Sequence, residues 1–485
     1  MMLGLRDPSL LRQAALIGGE WLAVGERALE VTDPASGLVI GQVPDCDERE
    51  TEAAIAAAVA AWPEWRRRTA NERAELVHRW HSLVLENIDD LALIMTAEQG
   101  KPLAEAQGEI RYAATFIKWF AEEGRRIGGR NIASPERDRR IIVMAEPVGV
   151  SAAITPWNFP AAMITRKCAP ALAAGCPVIV KPSDLTPFTA LALADLAVRA
   201  GFPKGTISCV TGLPETIGRT ITASPDVRKL SFTGSTRVGA LLMRQCADTI
   251  KRLSLELGGN APLIVFDDAD LDLAVTATMA SKFRNAGQTC VCANRILVQA
   301  SVYDDFAERL GAAVQGLHAA PGLDGDSTIG PLINAAAREK VLAHVADALG
   351  KGARVLARGS GRDDGMFHRA VLLGDAAPDM RLASEETFGP VAPLFRFGSE
   401  NEAIELANAT PFGLASYFYT RDLSRAFRVA ERLEAGMVAL NTGSIAMEMA
   451  PFGGVKQSGL GREGGQAGIE EYLETKAFHI GGLEL

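Results

Sequence analysis

Residues 147–184 read PVGVSAAITPWNFPAAMITRKCAPALAAGCPVIVKPSD. Two short runs of small and β-branched apolar residues, GVSAAITP and PVIVKP, flank a stretch whose apolar residues recur at helical spacing over 161–174. Strand, helix, strand, each closed by proline or glycine, is the repeating unit of a parallel sheet with helices on its faces. The alternation continues downstream. TISCVTG, RKLSFTG and APLIVF are further apolar runs, with helical stretches at 187–200, 214–223 and 236–248 between them. The fold class is therefore α/β. Sheets of this kind bind ligands at the carboxyl ends of their strands, so the residues after these runs are the first candidates for a site.

On the amino-terminal side, residues 17–45 read as short extended segments with turns, and Glu50 to about Arg126 as helices punctuated at Gly100-Lys101-Pro102. Residues 127–146 read as a loop and a strand. On the carboxyl side a second α/β region spans about 257 to 450, with LIVF, RILVQ, AVLLG, PVAPLFRF, ASYFYT and MVALN as its strands. The tail ends in TKAFHIGGLEL, a strand-like segment with no core of its own, of the kind that pairs with another segment or another subunit.

The whole chain narrows the function classes. At 485 residues it exceeds one hydrophobic core. Its composition, 48% hydrophobic and 22% charged with a net charge of −9, is that of a soluble globular protein without the basic footprint a nucleic-acid partner requires. Arg6, Asp7 and Arg12 break the apolar runs of the first residues, which speaks against a secretory signal, and no apolar segment has the length of a bilayer span. Seven scattered cysteines suit a reducing compartment, and the six histidines form neither HExxH nor a Cys/His cluster. A cytoplasmic enzyme without a metal is the expectation.

Chemistry gathers at SKFRNAGQTCVCANR, residues 281–295, and at LELGGN, residues 255–260. The first offers a thiol, Cys290, among small and amide residues; the second a lone carboxylate, Glu256. Read from the residues alone, Cys290 is equally a packed thiol and Glu256 equally a solvent-facing strand residue.

Seven stretches in order, TPWNFP (155–160), VKPSD (180–184), FTGSTRVG (232–239), LELGGN, GQTC (287–290), EETFGP (385–390) and PFGGVKQSG (451–459), resemble the aldehyde dehydrogenase superfamily over nearly the entire chain. SKFRNAGQTCVCANR and PFGGVKQSGLGREGG look most like its succinate-semialdehyde dehydrogenase branch. The resemblance implies a Rossmann-like cofactor domain at 1–126 and 147–256, a catalytic domain at 257–466, and a bridging element at 127–146 and 467–485 that extends a neighbour's sheet in a homodimer or homotetramer. It also makes Cys290 the nucleophile, Glu256 the general base, and Asn158 with the Cys290 backbone N–H the donors to the oxyanion. Retention of Glu256 separates the chain from acylating relatives that pass the acyl group to coenzyme A, so the product is a free acid. A fold relative that kept the architecture and lost the chemistry is the rival reading from another class.

For the cofactor, Gly234 and Gly239 form a GxxxxG turn opening a helix, which is not the GxGxxG fingerprint but still suits a pyrophosphate. By resemblance Thr155, Pro156, Trp157, Ser235 and Leu257 surround the dinucleotide, Lys181 and Ser183 meet the adenosine ribose, and Glu386 and Phe388 hold the nicotinamide end. Asp184 can accept hydrogen bonds from ribose hydroxyls and repels a 2′-phosphate, so NAD is the expected cofactor, with NADP possible through Lys181. Arg166 and Arg284 match the two arginines with which the branch grips a substrate carboxylate, a geometry that guanidinium suits. The branch's serine ahead of PFGG is missing: the segment is GSIAMEMAPFGG, with Ala446 and Met447 at that place and Ser444 upstream. The expected substrate is succinate semialdehyde, with glutarate semialdehyde or a broad range of aldehydes as alternatives. Cys292 is a packing residue or a reversible disulfide partner of Cys290.

Overall fold

The structure is a computed structural model that describes residues 3–484. Met1, Met2 and Leu485, at the ends of two of the expected parts, lie outside the described residues. An eight-stranded sheet has at its centre five parallel strands. In spatial order these are Ile207–Cys209, Val178–Lys181, Val150–Ile154, Val227–Thr233 and Arg252–Glu256. The chain enters at Val150–Ile154, works outward to one side, then crosses over and works outward to the other. The strand order therefore reverses between Val150–Ile154 and Val227–Thr233, and a crevice opens beyond their carboxyl ends at Thr155 and Gly234.

Both sides of the five-stranded parallel core are extended by distant segments, and Glu20–Ala23 forms the outermost strand beyond Ala14–Ile17. Ala14–Ile17 adds antiparallel at one side. At the other, Gly459–Leu460 pairs antiparallel with the strand that ends in Glu256. The helical layer follows its sequence signals closely: Ala162–Ala174, Pro187–Ala200, Pro214–Ala223 and Thr236–Cys246 cover the sheet. All of Ala162–Ala174 is buried, because the sheet lies on one side and the helix Leu103–Gly124 on the other.

A second, seven-stranded sheet carries Ala293–Gln299 and Ala261–Val265 near its centre, flanked by Val391–Phe397 and Ala415–Tyr419. Its strands are parallel except for the antiparallel edge Arg354–Arg358. The tail strand Leu473–Ile480 and Arg140–Pro147 pair antiparallel over their full lengths, and Arg130–Ile132 completes a three-stranded sheet. Six consecutive residues of the tail strand are exposed. Among the described residues no helix is long and apolar enough to cross a membrane.

The Gly100 corner is buried, packed against Pro34 and Pro331. Gly100, at φ 94°, ends the helix Ile88–Gln99, and Pro102 starts Leu103–Gly124. Gln99 and Lys101 are thereby turned inward beneath the site.

Candidate active site

Cys290 stands at the end of a turn with unusual backbone. Asn285 (φ 53°, ψ 38°) and Ala286 (φ 55°, ψ 31°) are left-handed, and Gly287 follows at φ 73°. A left-handed residue with a Cβ costs roughly 1–2 kcal/mol, so the turn persists only because its surroundings hold it. The main-chain N–H of Asn285 donates to Glu105 Oε2 at 2.8 Å, and Gln288 is fastened by Nε2 to the carbonyl of Asn285 and by Oε1 to the N–H of Ile333. Gly259 of LELGGN backs directly onto this segment: a Cβ there would lie 2.6 Å from the carbonyl oxygen of Cys290. That close approach brings two of the sequence motifs into one site.

The Cys290 thiol is half-buried and pushed up to about 12. Burial is the main cause; Glu386 and Glu256 add to it, while Arg166 and Arg284 oppose it. Asn158 is buried, and its Nδ2 donates to the carbonyl of Gln288 at 3.0 Å, which leaves its second N–H for another acceptor. Among the described residues the N–H of Cys290 makes no hydrogen bond.

Glu256 ends its strand with both carboxyl oxygens buried and without a hydrogen-bond partner. Its pKa is raised well above the ordinary value, by burial first and by the nearby Glu463 second. Glu463, which the sequence reading passed over although it lies inside GLGREGG, is the charge centre behind the site. Its carboxylate receives Arg166 Nε at 2.8 Å and the ammonium of Lys167, all three side chains being buried. Burial pushes the Glu463 carboxyl up, but Lys167 and Arg166 outweigh it and hold it below the usual range. Of the two neighbouring carboxyls Glu463 therefore holds its charge more firmly, and Glu256 is the stronger proton acceptor.

The crevice at the strand reversal contains a cavity of about 270 Å³ that reaches Cys290. Pro156, Trp157, Asn158, Gly234, Ser235, Leu257, Glu386 and Phe388 line it, along with Thr233, Gly258 and Lys340, which the sequence reading did not single out. A larger cleft of about 670 Å³ lies against the tail strand, away from this chemistry. Trp157 and Phe388 meet edge to face at 5.6 Å. Half-buried Glu386 accepts the N–H of Gly259 at 3.2 Å, and burial pushes its carboxyl up to about 7. Ser235 caps the helix Thr236–Cys246 through Val238 N, and Gly239 packs against Leu257, whose Cδ2 lies 2.4 Å from where a Cβ would stand. The side-chain oxygens of Thr155 and Thr233 are buried without partners at the crevice.

Lys181 ends the neighbouring strand. Its ammonium donates to the carbonyl of Pro182 at 2.7 Å, and burial pulls it down to about 8 against the opposing charges of Asp184, Glu215 and Asp45. Ser183 caps Leu185 N, and Asp184 is half-buried beside it. The donor set suits a dinucleotide: a glycine-backed helix start, a lysine and carboxylate at one end, and an apolar cavity with the thiol at the other.

On the far side of Cys290, Arg166, Arg284, Tyr112, Phe159, Ala446 and Phe452 line a narrow pocket. The two predicted arginines do converge there, in different states. Arg166 is buried and already bonded to Glu463, with its plane 4.0 Å above the Phe452 ring. Arg284 is exposed, rests 5.0 Å above Phe159, and has no ion-pair partner among the described residues. Tyr112 was not visible from sequence as anything but one residue of an amphipathic helix; its hydroxyl is buried without a partner and its pKa is raised by burial. Cys292 is fully buried, with Lys282 Nζ 3.2 Å from its sulfur. No group of acidic, histidine and cysteine side chains suited to a metal is found among the described residues.

A family model described as the aldehyde dehydrogenase family matches residues 21–478. The chain belongs to that family. A succinate-semialdehyde dehydrogenase [NADP(+)] of Escherichia coli strain K12 is 60% identical over 479 residues, covering 98% of this chain and 99% of its own. A glutarate-semialdehyde dehydrogenase of Pseudomonas putida is 58% identical over 477 residues, covering 98% and 99%. Among solved structures, an aldehyde dehydrogenase from Brucella melitensis biovar abortus 2308 superposes with a TM-score of 0.98 at 57% identity, covering both chains completely.

Proposed function

We propose that this aldehyde dehydrogenase oxidises a short aldehyde bearing a distal carboxylate, succinate semialdehyde foremost, to the free diacid. The observation that carries the reading is the pocket in which Arg166, Arg284 and the unpartnered Tyr112 hydroxyl stand across Cys290 from the cofactor cavity. The printed names of the E. coli and P. putida relatives, both semialdehyde dehydrogenases, support the same substrate class.

In this reading the substrate carboxylate docks on Arg284 and Tyr112, with Arg166 behind them. The Cys290 sulfur then forms a bond to the aldehyde carbon, and the oxygen that becomes negative is held by Asn158 Nδ2 and the Cys290 N–H. In its ionised form Glu256, whose buried oxygens are free of hydrogen bonds, accepts the thiol proton as the sulfur–carbon bond forms and releases it to solvent before the acyl group is hydrolysed. Bound nicotinamide supplies the acceptor for the hydride that leaves the aldehyde carbon. Glu256 afterwards takes a proton from the water that cleaves the Cys290 thioester, a task suited to a carboxyl whose burial has raised its basicity.

NAD is the proposed preferred cofactor. Lys181 is ringed by Asp184, Glu215 and Asp45, a set of charges that disfavours a 2′-phosphate. We assign residues 1–126 and 147–256 to cofactor binding, 257–466 to catalysis, and 127–146 with 467–485 to bridging. The exposed tail strand supports pairing with a second copy, in a homodimer or homotetramer. Seven unpaired cysteines support a cytoplasmic setting.

Glutarate semialdehyde is the second reading, favoured by Ala446, which stands in the pocket where the branch has a serine. The deciding experiment is a panel of succinate and glutarate semialdehydes and uncharged aldehydes of equal length, run with NAD and NADP, with Cys290→Ala as control. Arg284→Gln should lower kcat/KM about tenfold for the semialdehydes, the worth of a charge-assisted contact discounted for exposure, and leave uncharged aldehydes unchanged. Equal losses for both classes would remove the carboxylate from the reading.

A further inference from the structure

Asn285 occupies the middle of the left-handed turn and is almost wholly buried. Its side-chain amide uses both hydrogens on main-chain carbonyls: Nδ2 donates to Asn158 O at 2.9 Å and to Gln288 O at 3.3 Å. Its Oδ1 accepts from Gln99 Nε2 at 3.0 Å, which fixes the orientation of the amide. The same Gln288 carbonyl receives Asn158 Nδ2. The Asn158 carbonyl also receives Lys101 Nζ at 2.8 Å, and Lys101 is buried against Glu109, whose other oxygen caps the N–H groups of Ala161 and Ala162.

One amide thus holds the main chain of Asn158 and the Gln288 carbonyl two residues ahead of Cys290. Asn158 is fixed at its main chain through Asn285 and at its side chain through a carbonyl that Asn285 also holds. Cys290 follows two residues after that carbonyl. A shift of the Asn285 amide displaces the side-chain donor and the backbone donor together, although Asn285 itself points at neither substrate nor cofactor cavity.

We propose that Asn285 is a positioning residue that couples the two oxyanion donors, locking the geometry of Asn158 and the Cys290 turn from behind. The proposal rests on reading Asn158 as an oxyanion donor. The left-handed backbone agrees with it: asparagine tolerates that conformation, and the strain of the turn is what its side-chain bonds must hold. The Gly100 corner acquires a purpose in the same way, since it aims Gln99 and Lys101 at Asn285 and Asn158.

The test is a double-mutant cycle on the full-length enzyme with succinate semialdehyde. Asn285→Gly keeps the left-handed backbone and deletes the amide; Asn285→Asp keeps the shape and removes both donors. Asn158→Ala is the reference, expected to lower kcat about a hundredfold or more. Each Asn285 variant should lower kcat to a similar extent while the aldehyde KM, the NAD and NADP dissociation constants by fluorescence titration, and the number of alkylatable Cys290 thiols stay within twofold. Combining Asn285→Gly with Asn158→Ala should fall no more than about threefold below Asn158→Ala alone, because a positioning effect has nothing left to position. A double variant that loses the product of the two single effects overturns the coupling. So does a loss of cofactor binding or thiol count in step with kcat, which marks general damage. An Asn158→Ala enzyme with full activity would instead remove the oxyanion reading on which the proposal stands.

Discussion

Glu463→Gln is the perturbation that reaches furthest through this site. The carboxylate holds two buried cations, Arg166 and Lys167, whose side chains are 1% and 0% exposed. Breaking a buried pair by removing one partner costs about 3–5 kcal/mol; the glutamine keeps one acceptor oxygen, so about 3 kcal/mol is the expectation. The kinetic effect has a definite sign. Glu463 is the second cause of the raised Glu256 pKa, and Arg166 and Lys167 pull that pKa down. Removing the negative charge and releasing the two positive ones act in one direction, so Glu256 becomes more acidic and the ascending limb of kcat against pH moves to lower pH. Lys167→Met must move it the opposite way. Stability carries its own signature. The Glu463 pKa is depressed, so its contribution is present above the ordinary glutamate pKa and lost as pH falls through the lower folded value. The stability gap between wild type and Glu463→Gln therefore narrows in acid. The assay is a profile of kcat and kcat/KM between pH 5 and 9 at constant ionic strength, paired with denaturant unfolding at two pH values. An ascending limb that stays in place or moves to higher pH in Glu463→Gln refutes the electrostatic account of the base.

Three further outcomes are expected. With burial pushing the Cys290 thiol up to about 12, its alkylation by iodoacetamide in the absence of cofactor should still accelerate with each pH step beyond 9; a plateau at the pKa of an ordinary thiol contradicts this. Tyr112→Phe deletes a hydroxyl proposed to meet the substrate carboxylate and should lower kcat/KM for succinate semialdehyde roughly fivefold, about 1 kcal/mol, while an uncharged aldehyde of equal length is unaffected. Asp184→Ala removes one charge beside Lys181 and should raise the NADP-to-NAD ratio of kcat/KM by roughly tenfold; an unchanged ratio sinks the assignment of cofactor preference to that carboxylate.

The parts of the molecule legible from sequence are those written in local periodicity. The helices over 161–174, 187–200 and 214–223 could be drawn from apolar spacing and bounded by proline and glycine, and they lie at Ala162–Ala174, Pro187–Ala200 and Pro214–Ala223. The glycine-rich motifs were visible for a related reason: Gly259 and Gly239 stand where backbone and side chain approach too closely for a Cβ. Glu463, Tyr112 and Asn285 were not, because their meaning depends on partners far along the chain. Glu463 lies 297 residues from Arg166, and Asn285 lies 127 from Asn158. A buried charge looks like any other charge until its counter-ion is placed. Arg166 illustrates this: its motif suggested a substrate ligand, and the folded chain places it in an ion pair with Glu463 and against the narrow pocket beside Cys290 at once.

The short strand Gly459–Leu460 closes the edge of the sheet beside Leu255 and Glu256. On a ribosome, that edge stays open until the carboxyl-terminal part of the chain has emerged. At roughly 5–20 residues per second the interval from Glu256 to Gly459 is on the order of 10–40 s, during which the strand that ends in Glu256 has one unpaired side. Truncated or stalled chains therefore expose a sheet edge beside Glu256, and the pairing with Gly459–Leu460 withdraws that edge from association with other chains.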